Sequence, residues 1–390
     1  MLAMREGWKD TTLSEVLTIS RERVDPSRLE PDYELIYWSI PQLDITGGPS
    51  HEKASEIGSH KFVVLEDSVV YSLLNPRIPR IAKIEGGERV VCSTEFAVLQ
   101  PDSSLNLDFL YCFVSSPNFQ EQVRSLAKGT TKSRERIDSK EIAKLKFKLP
   151  PLSDQERIVD LIFSLDTYIN STKQQLVCAK RSRDAVLHDL FTTNNGWSAV
   201  GLEELENSGI IKLGRGDVIS KKDMEADPGP NPVYSSAENK NGMIGRYAKY
   251  TFDEELITWS IDGGGHIFYR PKHKFSVTNI GGWLRILDFS IFSYQFLTFA
   301  LQRLHKQHHF DWQSKAHPSV LRTLYTQIPL PSLAEQNRIV EIISSLDEAV
   351  SQSENAISVA TSLRSGLLSD LLSGNHEIPA TYDNFKGTSQ

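Results

Sequence analysis

The sequence predicts an α+β protein with near-twofold symmetry: two globular α+β domains separated by two long helices that pair as an antiparallel coiled coil. Three observations predict it. The segment LPPLSDQERIVDLIFSLD from Leu149 returns as LPSLAEQNRIVEIISSLD from Leu330, and over 149–194 and 330–375, aligned without a gap, 17 of 46 positions are identical. Each copy carries apolar residues at alternating steps of four and three, the spacing of a coiled-coil seam. The stretches that precede the copies are of similar length and mix short β-branched runs with Gly, Pro and Asn, as α+β globules do. Two copies are too few for a solenoid, which needs about three to bury a continuous core. A duplicated half is the simpler meaning.

Composition sets the outer limits. The chain of 390 residues has room for two or three domains. Hydrophobic content of 39% and charged content of 24% are ordinary for a soluble globular protein. Cys92, Cys112 and Cys178 are odd in number and far apart, which suits a reducing cytosol better than a disulfide framework. The N-terminal MLAMREGWKD is polar from Arg5 onward, unlike a signal peptide. The longest apolar stretch, Ile291 to Leu301, is too short and interrupted to span a bilayer. A cytoplasmic location is therefore expected. The net charge of −7 argues against a uniformly basic protein but leaves room for a positive face.

The first globule is expected over 1–148. Gly7-Trp8 opens it, strand candidates run over Lys61 to Val70 and Val90 to Leu99, and an apolar helix over Asp108 to Leu126 leads into a basic loop. The first long helix occupies 149–195. Pro150 and Pro151 end an extended segment, Ser153 is placed to cap, and Glu156 completes a capping-box pattern. Its seam is Ile158, Ile162, Leu165, Ile169, Thr172, Leu176, Ala179, Arg183, Val186 and Leu190.

The second globule follows over 196–329, opening on Gly196-Trp197. It has strand candidates at Leu256 to Ser260 and His266 to Arg270, and a helix at Tyr294 to Leu304. In the second long helix, 330–375, Pro331 is the stop, Ser332 the cap and Glu335 its box partner. Its seam is Ile339, Ile343, Leu346, Val350, Ser353, Ile357, Ala360, Arg364, Leu367 and Leu371, and a tail of 376–390 remains. Each helix would be roughly 55 Å long.

Both seams are flawed at the same places, by Thr172 and Ser353 near the middle and by Arg183 and Arg364 near the end. Antiparallel pairing would bring Arg183 to Asp347 and Arg364 to Asp166. The other reading is that the arginines merely snorkel out of the seam.

Recognition is expected where the halves differ. The first basic loop, 128–136, holds Lys128, Lys132, Arg134 and Arg136 among small hydroxyl residues. Such side chains suit phosphate contacts and, through Arg, guanine edges. The same place in the second half holds Arg303, His305, Lys306, His308, His309, Gln313, Lys315 and His317, with Phe310 and Trp312 interleaved. An isolated loop of this kind reads most simply as solvated, and its recurrence in both halves reverses that preference. Weaker candidates are Arg77, Arg80 and Lys83 in NPRIPRIAK, the turn at Lys240-Asn241-Gly242, and Arg246, Lys249 and His266 beyond it. The histidines lack cysteine partners or a metal-binding spacing, so no metal site is expected.

These motifs carry a family resemblance. The LPPLSDQERIV and LPSLAEQNRIV pair, each closing a variable globule and opening a long helix, resembles the DNA-specificity subunit of type I restriction-modification systems. The opening GWK and GWS, the NPR segment and VYSSAENKNGMIGRY also resemble that family's target-recognition domains. The resemblance covers about Gly7 to Asn375. It implies a non-catalytic subunit in which each globule, as a target-recognition domain, reads one half of a bipartite DNA sequence, while the helices set the spacer. It implies partners as well: double-stranded DNA, two modification (methyltransferase) subunits and, in the larger complex, restriction (translocase and nuclease) subunits. S-adenosylmethionine, ATP and Mg would sit on those partners, with no cofactor in this chain. The helix seams and the starts at Gln155 and Gln336 are then assigned to helix pairing and assembly, and the basic loops to DNA.

No catalytic motif answers in return. There is no NPPY or DPPY segment and no G-x-x-x-x-G-K-[ST], and Gly214-Arg215-Gly216 alone is a weak cofactor signal. The competing reading is an interaction scaffold or inhibitor whose globules bind protein rather than DNA, which the acidic total favours and the paired basic loops disfavour.

Overall fold

A computed structural model describes residues 7–128, 135–192, 196–236, 239–262, 266–308, 310, 315–374, 376, 378, 379 and 382. It resolves into two compact units, residues 1–174 with 355–390 and residues 175–354. The division passes through both long helices, Leu152–Thr192 and Leu333–Ser373. Each unit is therefore a globule with half of each helix, rather than a globule alone. At 41 residues each helix is about 60 Å long.

In the first unit, Lys9–Thr12 pairs antiparallel with Lys146–Leu149, so the globule's first and last strands lie side by side. Between them lies an antiparallel four-stranded sheet in the order Leu17–Ser20, Phe96–Pro101, Ser68–Ser72, Ile81–Ile84. A five-stranded sheet runs Arg23–Val24, Lys61–Val63, Val90–Cys92, Glu34–Trp38, Ser50–Lys53. Each anticipated long strand splits in two, because turns at Glu66-Asp67 and Ser93-Glu95 move the chain between sheets. The anticipated helix over Asp108 to Leu126 is likewise two, Leu107–Val114 and Pro117–Ser125. Ser116 caps the second and Pro117 opens it, as a residue without an N–H can at a first helical turn.

The main core of this unit joins Phe109, Leu110, Phe113, Phe119 and Val123 to Ile158 and Ile162 of the first long helix and Leu368 and Leu371 of the second. Rising numbers on one helix meet falling numbers on the other, so the halves run antiparallel. Arg364 forms an ion pair with Asp166, Nη2 to Oδ2 at 2.9 Å. Of the tail, Ile378 is buried in this core.

In the second unit Ser198–Val200 pairs antiparallel with Ile328–Leu330. A six-stranded sheet runs Ile211–Arg215, Gly281–Ile286, Phe252–Ser260, Ile267–Val277, Asn231–Tyr234, Met243–Tyr247. Helix Tyr294–His305 buries Phe296, Leu297, Ala300 and Leu301 into a core that takes Leu187 and Phe191 from the first long helix and Ile339 and Ile343 from the second. Arg183 pairs with Asp347 at 2.8 Å, and Lys180 with Glu354 at 2.7 Å.

Every seam residue named from the sequence is buried or half-buried. The hydroxyls of Thr172 and Ser353 donate to carbonyls one turn back, those of Tyr168 and Ala349, which satisfies them without a partner helix. The caps differ between copies. Ser332 accepts the N–H of Glu335 at 3.3 Å. Ser153 does not cap, because the first helix begins at Leu152. There the Pro151 carbonyl accepts the N–H groups of Asp154 and Gln155 at 2.9 and 3.0 Å. No helix among the described residues is long and apolar enough to cross a membrane.

Candidate nucleic-acid interface

The basic loop of the first globule springs from a tied base. Lys128 and Arg136 exchange backbone hydrogen bonds, each N–H donating to the other's carbonyl at 2.9 Å. The NPR segment is laced to the same base: Asn75 donates its N–H to the Glu135 carbonyl at 2.9 Å, and Ile137 donates to Leu73 at 3.0 Å. The structure thus brings Arg77, Lys128 and Arg136 together. Lys132 and Arg134 lie outside the described residues.

Four of the cations here, Arg77, Arg80, Lys83 and Arg136, carry their own counter-charges. Arg77 forks Glu135 with two bonds of 2.9 Å, and Arg136 meets Glu95 at 2.9 Å. Arg80 is not presented on a projecting loop, because helix Ile40–Thr46 supplies Asp44, which takes its guanidinium in two bonds of 2.7 and 2.8 Å. That bond holds the Asp44 carboxyl below, and the Arg80 guanidinium above, their ordinary ranges. Lys83 is likewise paired, with Asp108. Linear spacing could not show this, since each acid arrives from an element 25 to 58 residues away.

In the second globule the expected turn is a 3-10 turn over Asn239–Gly242, with Asn241 at φ 52° and Gly242 at φ 79°. Asn241 is exposed, and Arg246 and Lys249 are exposed on the hairpin that follows. Arg246 donates to the Pro230 carbonyl at 2.5 Å. The side chain of Lys240 is outside the described part.

Arg270, a residue sequence reasoning passed over, props this turn from within. It is 4% exposed, and its guanidinium lies 3.7 Å from the Tyr234 ring centroid and 4.6 Å from that of Phe268. Nε donates to the Thr258 hydroxyl at 2.9 Å and Nη2 to the Asn241 carbonyl at 2.7 Å. Burial pushes its pKa down to about 10. The aromatic faces replace part of the lost hydration, and the one signal in the sequence was Phe268 two residues before it on the same strand face.

The histidine-rich stretch divides. His305 is buried, hydrogen-bonded to the Tyr325 hydroxyl at 2.5 Å and stacked on Phe310 at 4.5 Å. His317 accepts the Ser319 N–H at 3.3 Å as the cap of helix Pro318–Leu324, and burial, then Arg215 and Arg322, lower its pKa. Arg303 lies over the Phe191 ring at 5.8 Å. These three are structural, because helix ends and aromatic neighbours claim them. His308 is half-buried against Tyr325 and Phe310. Lys306 and Lys315 stay exposed while meeting Asp184 at 3.5 Å and Asp262 at 3.0 Å, and His266 is exposed beside Phe268. His309 and Gln313 lie outside the described residues. Among those described, no three His, Cys, Asp or Glu side chains cluster as metal ligands would.

Gln155 and Gln336 do not belong to an assembly surface. Both are fully buried and make the same set of hydrogen bonds. Gln155 accepts the Asn106 N–H at 2.8 Å and donates to the Ser104 and Pro150 carbonyls, both at 2.9 Å. Gln336 accepts the Ser293 N–H at 3.0 Å and donates to Ile291 at 2.7 Å and Pro331 at 3.1 Å. Each amide thus locks the start of a long helix to the loop that caps an apolar helix of its globule. Their recurrence in the repeat was the available signal, and it pointed inward.

Comparison with known proteins agrees with this architecture. A sequence model described as type I restriction modification DNA specificity domain matches twice, over residues 5–178 and 199–359. The chain is 29% identical over 168 residues to the type I restriction enzyme MpnII specificity subunit of Mycoplasma pneumoniae, covering 42% of this chain and 50% of that one. It is 31% identical over 169 residues to a second protein of that organism described as a type I specificity subunit, S.MpnORF285P, covering 42% and 54%. The matched segment thus spans about half the length of each relative. Among solved structures, the S subunit of a type I restriction-modification system from M. genitalium superposes with a TM-score of 0.60 at 17% identity, over 97% of this chain and 99% of that one. The HsdS subunit from Thermoanaerobacter tengcongensis superposes at 0.52 with 19% identity, over 95% and 98%. With both halves matched by the same domain, the chain belongs to the type I restriction-modification DNA specificity family.

Proposed function

We propose that this chain is the sequence-reading subunit of a type I restriction-modification complex, with each globule reading one half of a bipartite DNA target. The observation that carries the reading is the double occurrence of the specificity domain, each copy carrying a basic segment ahead of its long helix. In the first globule the DNA-facing candidates are Lys128, Lys132, Arg134 and Arg136, with Arg77 beside them and Arg80 more remote. In the second they are the turn at Lys240 and Asn241 with Arg246 and Lys249, then His266, Lys306, His308, His309, Gln313 and Lys315.

A helix of about 60 Å exceeds one turn of B-DNA, which suits half-sites about one helical repeat apart. Two modification subunits would dock on the long helices, where Phe163, Tyr168, Val359 and Leu363 are exposed. Restriction subunits join in the larger complex. The chain itself would neither methylate nor cut, S-adenosylmethionine, ATP and Mg being used by the partners, and it would work in the cytoplasm. Methylation-site mapping of DNA from cells carrying the complex tests this directly. A bipartite motif with a fixed spacer is expected; continuous or absent modification would overturn the reading.

A further inference from the structure

We propose that a cleft in the first globule, distinct from the basic loop, holds a backbone phosphate of the DNA between Arg21 and Arg23. The proposal rests on the DNA-reading role above and adds a contact to it. The cleft, of about 220 Å³, opens where the four-stranded and five-stranded sheets meet. Phe62, Phe96 and Ile137 give it a buried apolar floor, while Arg21 and Arg23 are exposed. In extended chain, residues two apart share a face, so the two arginines point the same way and Glu22 between them the other.

Among the described residues, neither arginine of this pair meets a carboxylate, in contrast to the cations around the basic loop and the NPR segment. Arg77, Arg80, Lys83 and Arg136 each meet a carboxylate. Arg21 instead donates Nη2 to the hydroxyl of Ser139 at 2.7 Å, and the Arg23 guanidinium lies 5.5 Å from the Phe62 ring centroid. A neutral hydroxyl and a ring face orient a guanidinium without neutralising it. The one acid on the wall, Asp138, accepts the Lys140 N–H at 2.9 Å as the cap of helix Ser139–Ala143. Ser20 and Thr94 add hydroxyls to the same wall.

Two oriented guanidiniums that form no ion pair among the described residues, beside hydroxyl donors, form a receptor for a phosphodiester, and a cleft of this size excludes a base pair. Thr94 and Ile137 adjoin Glu95 and Arg136, so a phosphate held here would extend the strand path that the basic loop begins.

The test is the salt dependence of binding of the full chain to a labelled random duplex. Each phosphate contact contributes about −0.9 to the slope of log K against log salt. The R21Q/R23Q double variant should make that slope shallower by about one and weaken all sequences alike, about tenfold at low salt, while its melting temperature stays unchanged. The R21K/R23K variant, which keeps two point charges, should retain the slope. A wild-type slope that R21Q/R23Q leaves intact would overturn the cleft while sparing the DNA reading. Altered base preference in place of uniform loss would overturn the phosphate assignment. A wild-type chain with no salt-dependent duplex binding would sink both.

Discussion

The side-chain carbonyl of Gln155 accepts the backbone N–H of Asn106 at 2.8 Å, and through that bond the first turn of a long helix holds the cap of helix Leu107–Val114. Removing the amide takes a partner from the half-buried Asn106 N–H, from the Ser104 carbonyl and from the buried Pro150 carbonyl. Gln155→Ala should cost about 2–4 kcal/mol. Gln155→Glu should cost at least as much, because a carboxylate would face two carbonyls. Denaturant unfolding of the full chain measures both, and a loss below about 0.5 kcal/mol, the range of ordinary surface substitutions, would show the clip to be dispensable.

The arginines of the seam make a second prediction. Arg183→Asp places two acids together beside Asp347, and adding Asp347→Arg should restore the pair with its polarity inverted. Side-chain exposures of 18% for Arg183 and 45% for Asp347 put the pair nearer the surface case, so a coupling of about 1 kcal/mol is expected from a double-mutant cycle. Stability of the double variant no better than the sum of the singles would contradict the pairing.

Arg270 tests how the turn at Asn239–Gly242 is held. Arg270→Met removes the bond to the Asn241 carbonyl and the two-faced ring contact, and should weaken recognition of the second half-site while leaving the first unchanged. Loss of melting temperature with unchanged half-site discrimination would make Arg270 a purely structural residue.

Acid should act on the second unit through Glu206. Its carboxylate takes the Arg322 guanidinium, and accepts the Leu213 N–H at 3.0 Å. First Arg322 and then, against the opposing effect of burial, the Leu213 N–H hold its pKa below the ordinary 4.5. A depressed folded pKa means that this stabilisation is complete above the unfolded value and is lost as pH falls from about 4.5 through the folded one. Glu206→Gln should therefore lower stability at neutral pH and flatten the acid limb of a melting curve series. Parallel pH profiles for the two proteins would refute the assignment.

Replacing Lys132, Arg134 and Arg136 together should weaken recognition of one half-site and leave binding of modification subunits intact. Methylation mapping and co-purification report the two outcomes separately, and loss of co-purification would move the loop to the assembly surface.

The seam and its ion pairs were legible because duplication copied the flaws along with the rule, and an antiparallel register leaves Arg183 and Arg364 few carboxylates to meet. The partners of Gln155 were not legible, since they come from a loop about fifty residues upstream and an amide has no periodic signature. The partners of Arg80 and His305 were hidden for a related reason. Residue type shows a guanidinium and an imidazole, whereas Asp44 and Tyr325, which bond to them, are brought close only by the fold. The strand runs were found but not their breaks, because sheet membership changes at turns whose residues are unremarkable.

The neighbouring strands Lys9–Thr12 and Lys146–Leu149, and likewise Ser198–Val200 and Ile328–Leu330, mean that the chain enters and leaves each globule through a single port. Everything between the two strands of a port is a cassette. Residues inserted, deleted or exchanged between those two strands leave the exit where the entry strand fixes it, so the helix beyond resumes in the same place whatever the cassette contains.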